Sequence, residues 1–559
     1  MATVWCFPPG TVLASTIDGP FGSALNPVGP ADAERWVWLA YDQQNSAFLD
    51  ALDHGPRRGV VLIESTNKAQ QQPFHKQKLG VLLSNQRHFA LELQAMGVPV
   101  LYLQTRQSYA DVLRLVGAFV DGLEGFEPAE RSLRLEVEAL VSEGQLALHP
   151  HPGWLTERAW FTQSVGQEPP FRMDAFYRRV RQETGWLMEG DKPLGGKYSF
   201  DGENRLPWKG DPPCPELPTY GFDAVDEEVE VLVRTAFAHH PGSVDLSKHA
   251  TSVADLDQAM AFAAEVLPHF GPYEDAMSEQ NRGLFHSRLA TLLNLHRIMP
   301  AQAVQMALTS NAPHNSVEGF VRQLIWREYV HHIHEVTDGF RTFDEHRQPS
   351  LRGARWDGFE RRDETLHPNH LKQGRPLPMA YWGKSSGLRC LDANVAAVME
   401  EGWTHHIPRL MVLSNFANLL DVDPRELTDW FHAAFIDAYD WVVEPNVLGM
   451  GTFALGTAMM TKPYVAGSAY INKMSDHCSS CDFHPKKTCP ITRLYWAYLN
   501  RHLAAFEGNH RMAIARKNVA RRSDEEKAMD AAVFQKVQVA MSSGVALRPT
   551  AEGDLRSWS

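Results

Sequence analysis

The hydrophobic pattern of the chain changes period partway along, and that change limits the fold more than any other feature. Over residues 31–150, short apolar runs rich in β-branched residues, such as GVVLIES at 59–65, alternate with a helical pattern. Strand, helix and strand in this order predict a parallel sheet with crossover helices. From about residue 226 to residue 545, strand patterns are scarce and apolar residues recur at helical spacing. The expected fold is an N-terminal Rossmann-like α/β domain followed by a larger all-α domain.

Glycine, proline and serine mark the segments outside these two domains. Residues 1–30 are rich in all three and are predicted to form an irregular N-terminal arm. Residues 151–225 include a stretch crowded with glycine and proline, which is typical of a long interdomain connection. Residues 546–559 are interpreted as a C-terminal tail.

The composition is that of a soluble globular protein, with 44% hydrophobic and 22% charged residues. Neither an 18-residue apolar run nor a signal-peptide pattern is present, so we expect a cytoplasmic protein with no membrane partner. The net charge of −13 argues against a nucleic-acid partner only for the chain as a whole, because a sum can hide a local basic face.

Three of the six cysteines, Cys478, Cys481 and Cys489, fall within twelve positions of one another. In a reducing compartment such clustering indicates a metal or redox site more often than a disulfide. A four-ligand site needs one more group. His477 or His484 would complete a local zinc site, whereas a distant cysteine (Cys390, Cys214 or Cys6) would complete a four-cysteine site for zinc or an iron–sulfur cluster. Three inert buried thiols are the remaining alternative.

Two further groups of residues could carry chemistry. His405 and His406 precede Arg409 in an apolar helical stretch, where they could protonate and hold an anionic ligand. The stretch at 284–293 places a histidine, a serine and an arginine near a helix start, a typical anion site. Without further information, core or surface histidines and an ordinary helix cap are the commoner interpretations.

Taken together, five segments resemble one family, the iron–sulfur bacterial branch of the cryptochromes and photolyases, which includes the prokaryotic (6-4) photolyase-like proteins. The segments are 171–205, 270–294, 320–329 (FVRQLIWREY), 381–411 (with YWGKSSGLRCLD and HHIPRLM) and 461–481 (ending in DHCSSC). The similarity runs from about residue 31 to residue 540. The combination is specific, although no single segment would be.

The resemblance implies an α/β antenna-type domain and a helical domain that holds FAD. It implies a [4Fe-4S] cluster held by Cys390, Cys478, Cys481 and Cys489, which would staple the C-terminal helices. Matching positions also imply residues that contact FAD. These residues are His286, Ser287, Arg288, Gln323, Arg327, Arg409, Asp437 and Asn446.

The function implied by the resemblance is light-driven repair of (6-4) pyrimidine photoproducts, with UV-damaged DNA as the partner of a monomeric protein that is nucleoid-associated when bound. His406, beside His405, would give a proton to the flipped-out lesion after the photoexcited reduced flavin donates an electron. Trp382 and Trp430 resemble residues that re-reduce the flavin, although core packing is the commoner role of tryptophan. The alternative is a blue-light photoreceptor of the cryptochrome type that keeps flavin and cluster but repairs nothing.

The sequence departs from the family pattern at several positions. Phe431 replaces a tyrosine on the electron-transfer route, so we expect slower or rerouted photoreduction. Val443 stands near the position that faces flavin N5, unless a local shift lets Glu444 take that role. The loop from Cys481 to Cys489 is short, and Ile491 replaces an aromatic residue. An additional expectation is a lumazine-type antenna pocket, in a domain whose YDQQN motif at 41–45 is unusual. Its residues would be Glu64, Lys76, Lys78 and 87–89.

Overall fold

The structure, a computed structural model, describes residues 7–53, 55–343 and 346–549, apart from the side chains of residues 363 and 364. Its N-terminal part is a six-stranded sheet in the order β1-β4-β3-β2-β5-β6. Strand β1 is antiparallel to β4, and the other neighbours are parallel. The strands are β1 (Thr11–Leu13), β2 (Arg35–Trp38), β3 (Arg58–Ser65), β4 (Val100–Thr105), β5 (Leu123–Phe126) and β6 (Leu146–His149).

Helices cover the sheet, as the expected α/β architecture requires. Residues 60–63 of β3 are all buried, because helices pack on both faces of the sheet. The long crossover helix α4 lies between β3 and β4. The sequence predicts a helix here, after the apolar run at 59–65. The helices of this part are α1 (Pro20–Ala24), α2 (Ala47–Asp50), α3 (Asn67–Gln71), α4 (Lys76–Ala95), α5 (Tyr109–Gly117) and α6 (Arg131–Ser142).

The rest of the described chain is mainly helical, which confirms the predicted fold class. Its largest core includes Ile325, Val330, Leu413 and Trp430. The helices are α7 (Arg158–Ser164), α8 (Met173–Thr184), α9 (Ala224–Ala236), α10 (Val253–Tyr273), α11 (Ala290–Asn294), α12 (Pro300–Thr309), α13 (His314–Val336), α14 (Arg389–Glu401), α15 (Asn415–Leu419), α16 (Pro424–Ala434), α17 (Asp440–Glu444), α18 (Ser468–Met474), α19 (Pro490–Arg501), α20 (Ala513–Arg521) and α21 (Asp524–Ser542).

Two short hairpins and two π-helical segments complete the described secondary structure that matters for the site. One π-helical segment, Pro408–Ser414, follows the His405–His406 pair, and the other, Pro445–Gly451, follows Glu444. Turns of π-helix are frequent at functional sites. The hairpin strands are β7 (Met188–Glu189), β8 (Lys192–Pro193), β9 (Arg347–Arg352) and β10 (Arg362–Pro368).

The structure differs from the predicted domain limits in three places. Residues 7–30, predicted as part of an irregular arm, contain β1 and α1; residues 1–6, with Cys6, lie outside the described part. Residues 151–225, predicted as a connection, include α7 and α8, whose Phe161 and Phe176 pack in the helical core. Helix α9, assigned to the helical domain, packs against α4, and its Val229 and Val233 join the α/β core.

None of the described helices combines the length and apolar character needed to cross a bilayer.

Candidate functional site

Three histidine rings meet in the helical part of the molecule. His286 stacks on His405 with ring centroids 4.1 Å apart, and its ring centroid lies 5.5 Å from that of His406. His286 and His405 are buried, whereas His406 is half-buried. The pair His405–His406 follows α14 after Gly402, which ends the helix in the left-handed conformation (φ 65°). A side chain at Gly402 would also press on Ile436, because a Cβ there would lie 2.6 Å from its Cγ2.

Burial is the main influence on the charge of this trio. Desolvation lowers the pKa of His286, His405 and His406, and the nearby cation of Arg409 lowers all three further. His286 Nε2 and His405 Nδ1 are buried without a hydrogen-bond partner among the described residues. A buried polar atom without a protein partner is able to bond to a ligand or to water. The trio therefore presents neutral imidazoles to a bound group.

Arg409 and Asp437 form a bidentate ion pair beside the histidines. Arg409 Nη1 and Nη2 donate to the two Asp437 oxygens at 3.0 and 2.9 Å. Arg409 Nε donates to the Thr404 carbonyl at 2.7 Å, and the guanidinium lies 4.2 Å from the Phe435 ring centroid. These contacts fix the orientation of a cation next to His286 and His405, as the resemblance predicts for a pair beside the isoalloxazine ring.

The Ser287–Arg288 segment packs against the end of α14. Arg288 has φ 57° and donates from Nη2 to Glu401 Oε2 at 2.8 Å. Its guanidinium lies 4.2 Å from the Trp403 ring centroid, while Arg282 donates to the other oxygen of Glu401. Arg282 also donates to Glu400 Oε2 at 2.8 Å, so the two arginines form an ion-pair network with two carboxylates at the end of α14.

Gln323 and Arg327 share one face of α13 but lie in different surroundings. Gln323 Nε2 donates to Glu274 Oε1 at 2.6 Å, and the Glu274 carboxylate acts to raise the pKa of His406 against its burial. Arg327 points inward, donating to Asn294 Oδ1 at 3.0 Å, with its guanidinium 4.5 Å from the Trp154 ring centroid. Gln323 therefore lies at the histidine site, whereas Arg327 reaches it only through Asn294, which donates to the Asp437 carbonyl.

Asn446 and Glu444 are held by internal partners. Asn446 Oδ1 accepts from Trp326 Nε1 at 3.0 Å, and its amide donates to the Val442 carbonyl. Glu444 is buried and accepts from Arg425 Nη1 at 2.7 Å and His334 Nε2 at 2.9 Å. The glutamate thus faces a basic cluster, and the structure does not support the shift that would let it replace Val443 beside the flavin.

An aromatic path leads from the Arg409–Asp437 pair towards the surface. Phe435, under Arg409, lies 5.7 Å from Trp430, which lies 6.4 Å from Trp382. Trp382 lies 4.8 Å from Trp356, a partly exposed residue on the β9–β10 hairpin. Sequence reasoning missed Trp356, because its segment carries no motif and only the folded hairpin brings it to Trp382. Phe431 stacks on Phe435 with centroids 5.0 Å apart and adds no oxidisable ring.

The four predicted cluster cysteines line one small cavity. Cys390 comes from the first turn of α14, Cys478 and Cys481 from the turn after α18, and Cys489 from the start of α19. All four are free thiols. Burial raises the pKa of Cys478 to about 11 and of Cys489 to about 12, and the neighbouring thiols add to the effect. Four thiolates this close need a cationic centre to be stable.

A single zinc ion and a larger metal cluster require different spacings of the ligand sulfurs. In a tetrahedral zinc site with Zn–S bonds near 2.3 Å, the ligand sulfurs lie about 3.8 Å apart. Within the described part of the chain, the groups of three ligand atoms that lie within 4.8 Å of one another do not include these cysteines. His477, one of the local zinc-ligand candidates, lines the same cavity, and its Nε2 lies 3.2 Å from the Asn394 amide. The cavity therefore brings the four predicted cysteines and His477 together as candidate metal ligands.

The residues predicted to bind an antenna do not converge. Glu64 and Arg87 form a buried bidentate pair, with both distances at 2.9 Å. Lys78 points the other way, donating to the carbonyls of His432 and Ala438 at 2.8 and 2.5 Å. Because these charges already have internal partners, this donor set does not fit a lumazine.

Comparisons with known proteins match most of the chain. A family model described as "Deoxyribodipyrimidine photo-lyase-related protein" matches residues 37–248, and one described as "FAD binding domain of DNA photolyase" matches residues 320–485. Over 514 residues the chain is 32% identical to a (6-4) photolyase of Agrobacterium fabrum, covering 87% of this chain and 96% of that protein. A 66-residue stretch is 44% identical to an uncharacterized protein, R855, of Acanthamoeba polyphaga mimivirus, covering 12% and 54% of the two chains.

Solved structures share the fold. A bacterial class III photolyase from Agrobacterium tumefaciens superposes with a TM-score of 0.52 at 15% identity, covering 92% of this chain and 99% of that one. A cryptochrome from Synechocystis superposes with a TM-score of 0.51 at 14% identity, covering 92% and 100%. At these identities the likeness establishes the architecture, an α/β domain joined to a helical domain.

Proposed function

Because the chain belongs to the photolyase–cryptochrome family and carries its FAD-binding domain, we propose that it is a light-driven lyase that repairs (6-4) pyrimidine photoproducts in DNA. The observation that carries the proposal is the convergence of His406, His405 and His286 beside the Arg409–Asp437 pair. His406 is the least buried ring of the trio, so a flipped-out base could reach it.

The orphaned imidazole nitrogens of His286 and His405 and the guanidinium groups of Arg409 and Arg288 are groups that could bind a dinucleotide. Reduced FAD, when bound and photoexcited, supplies the electron that the repair reaction needs. Arg409, oriented by Asp437, would stabilise negative charge on the ring system, and Arg288 would pair with the phosphates. The residues proposed to hold FAD are His286, Ser287, Arg288, Gln323, Arg409, Asp437 and Asn446, with Arg327 acting through Asn294.

His406 is proposed to hold the proton that the lesion receives. Burial lowers the pKa of His406, so the ring is neutral at pH 7 in the free protein. DNA phosphates and the Glu274 carboxylate favour the charged imidazole, so protonation would accompany DNA binding. A ring nitrogen of His406 then gives its proton to the lesion, while stacking between His405 and His286 keeps the pair in place.

We further propose that Cys390, Cys478, Cys481 and Cys489 hold a [4Fe-4S] cluster with a structural role. Such a cluster would supply covalent links between α14, α18 and α19, which are far apart in sequence. The short loop from Cys481 to Cys489 is stabilised locally, since the Thr488 and Cys489 amides donate to the His484 carbonyl at 3.0 Å each.

Repair can be tested with an oligonucleotide that contains one (6-4) photoproduct, illuminated in the presence of reduced protein. We expect repair by the wild type and at least a hundredfold slower repair by His406→Ala. His510→Gln, at an exposed histidine, serves as the matched control and should repair normally. Equal rates for His406→Ala and wild type would refute the proton-donor role.

A photoreceptor without repair activity is the second candidate, and the replacement of an oxidisable tyrosine by Phe431 favours it. A blue-light photoreceptor would bind FAD and change its absorption on illumination, yet leave the photoproduct intact. The same assay separates the two functions, provided that flavin occupancy is measured on the sample used. The monomeric state, like binding to UV-damaged DNA, remains part of the proposal and is checked by light scattering with and without the damaged oligonucleotide.

A further inference from the structure

A second histidine-rich group lies on helix α13, with partners other than those of the His286–His405–His406 trio. One ligand atom each from His331, His332 and Glu335 lies within 4.8 Å of the other two. His331 and Glu335 are four positions apart and His332 and Glu335 three apart, so the spacing places them on neighbouring rows of one helix face. His332 Nδ1 lies 4.0 Å from Glu335 Oε2. The helix therefore presents two imidazoles and a carboxylate to a common point.

Both rings are buried without satisfying their nitrogens. His331 is 7% exposed and His332 is 3% exposed. Their Nδ1 atoms make no hydrogen bond to any residue of the described part of the chain. A buried polar atom without a partner is costly, so two such atoms side by side are available to bind a ligand.

The contacts of His332 define which nitrogen is free. His332 Nε2 lies 2.8 Å from Thr156 Oγ1, and this hydroxyl donates to Glu328 Oε2 at 3.1 Å. The hydroxyl hydrogen is thus used on the carboxylate, so His332 Nε2–H donates to Thr156 and leaves a lone pair on Nδ1. A lone pair then faces the Glu335 carboxylate, an arrangement that a cation between them would relieve. Metal-bound histidines are oriented by outer contacts of this kind.

Neighbouring elements determine the charge around the group. His331 stacks on Trp154 at a centroid distance of 3.6 Å. The Glu335 carboxylate is partly buried and has Arg158 as its ion-pair partner. Arg158 Nη1 lies 3.3 Å from Glu335, but the Arg158 side chain is 56% exposed and free to swing away. Arg134 also faces the group, and the carboxyl of Glu127 lies near Glu335.

We propose that His331, His332 and Glu335 form a binding site for a divalent transition metal of the zinc type, with water completing the coordination. Two imidazoles and one carboxylate are a common zinc donor set. The metal would take the place of Arg158 as the counter-ion of Glu335. Its ligands His331 and His332 also contact Trp154 and Thr156, in the segment that joins the α/β part to α7. The proposal is independent of the repair function.

Zinc uptake by the purified holoprotein tests the site. The protein is equilibrated with Zn²⁺, passed through a desalting column, and analysed for zinc and iron per chain. We expect one retained zinc in the wild type and unchanged iron, which excludes exchange at the cysteines. Glu335→Gln and His332→Gln should each weaken zinc binding at least tenfold, whereas His314→Gln, on the same helix but outside the group, should not.

Arg158→Ala provides a test in the opposite direction and, at an exposed position, does not threaten folding. Removing the competing cation should tighten zinc binding several-fold, because the ion pair that Arg158 makes with Glu335 at 3.3 Å is then lost. Circular dichroism and flavin absorbance show whether each variant is folded. Lack of zinc retention in the wild type, or equal retention in wild type, Glu335→Gln and Arg158→Ala, would overturn the proposal.

Discussion

Replacing Glu444 by glutamine should destabilise the helical part of the molecule without affecting the flavin. The carboxylate is buried and accepts from Arg425 at 2.7 Å, His334 at 2.9 Å and Arg341 at 3.2 Å. Removing one partner of a buried ion pair costs about 3–5 kcal/mol, because the remaining charges stay buried without compensation. Glutamine has nearly the same volume, so loss of charge is the main effect.

The expected change in melting temperature follows from the size of the unit that unfolds. For a unit of about 300 residues, an unfolding entropy near 2.1 cal/mol/K per residue converts this loss into a decrease of about 5–8 °C. The assay is thermal unfolding of the FAD-loaded protein, followed by circular dichroism. Glu203→Gln, which removes an exposed ion pair with Lys197, is the control and should change the melting temperature by about 1 °C or less.

The pH dependence of the stability provides a second test of the role of the Glu444 charge. Burial alone would raise the pKa of Glu444, but Arg425 and His334 hold it well below the usual range. A lowered carboxyl pKa contributes stability above the ordinary glutamate value of about 4.3, and that stability is lost as the pH falls through the folded-state value. The difference in melting temperature between the wild type and Glu444→Gln should therefore persist at pH 6–8 and become smaller only at acidic pH.

Two results would contradict this reasoning. A melting temperature for Glu444→Gln within 1 °C of the wild type would mean that the basic cluster does not depend on the carboxylate. A shifted flavin absorption spectrum in a normally folded variant would mean that Glu444 contacts the cofactor after all, and that its contacts with Arg425 and His334 are broken when FAD is bound.

Three further changes test other parts of the site. Arg409→Gln removes the bidentate pair with Asp437 and should weaken FAD retention about 10–100-fold, measured by flavin release on dilution, since hydrogen bonds to charged groups contribute about 1.5–3 kcal/mol. Cys481→Ser should abolish iron binding and lower the melting temperature, as measured by iron analysis and thermal unfolding. Trp356→Phe should slow photoreduction of bound FAD by an added thiol, whereas Trp160→Phe should not; equal rates would exclude Trp356 from the path.

The fold class could be predicted because the patterns that determine it are local. Residues 60–63 read as an uninterrupted apolar run, and the structure buries them between helices on both faces of a parallel sheet. Strand β1 escaped prediction because three residues are too few to show a period. Helices α7 and α8 were missed because the glycine- and proline-rich stretch that follows them dominates the composition of residues 151–225.

For the candidate site, too, residues close together in the sequence could be predicted more easily than residues from distant segments. Neighbours in sequence, such as the pair His405–His406 or Cys478 and Cys481, could be selected as candidate site residues from their spacing. The fourth cysteine, Cys390, came only from the family resemblance, since nothing in the spacing distinguishes it from Cys214. The partners of Glu444 come from distant segments, so the structure was needed to show that its charge is used internally.

Helix α14 connects the cysteine cavity with the histidine trio. Cys390 stands in its first turn, and one turn later Asn394 donates to the Cys390 carbonyl at 2.8 Å and contacts His477 at 3.2 Å. At its other end, Glu401 binds Arg288, and Gly402 turns the chain into the histidine pair. A cluster that fixes Cys390 would therefore also fix the start of a helix whose end positions His405 and Arg288. This link gives a physical reason for the proposed cluster to serve as a structural support for the proposed flavin site.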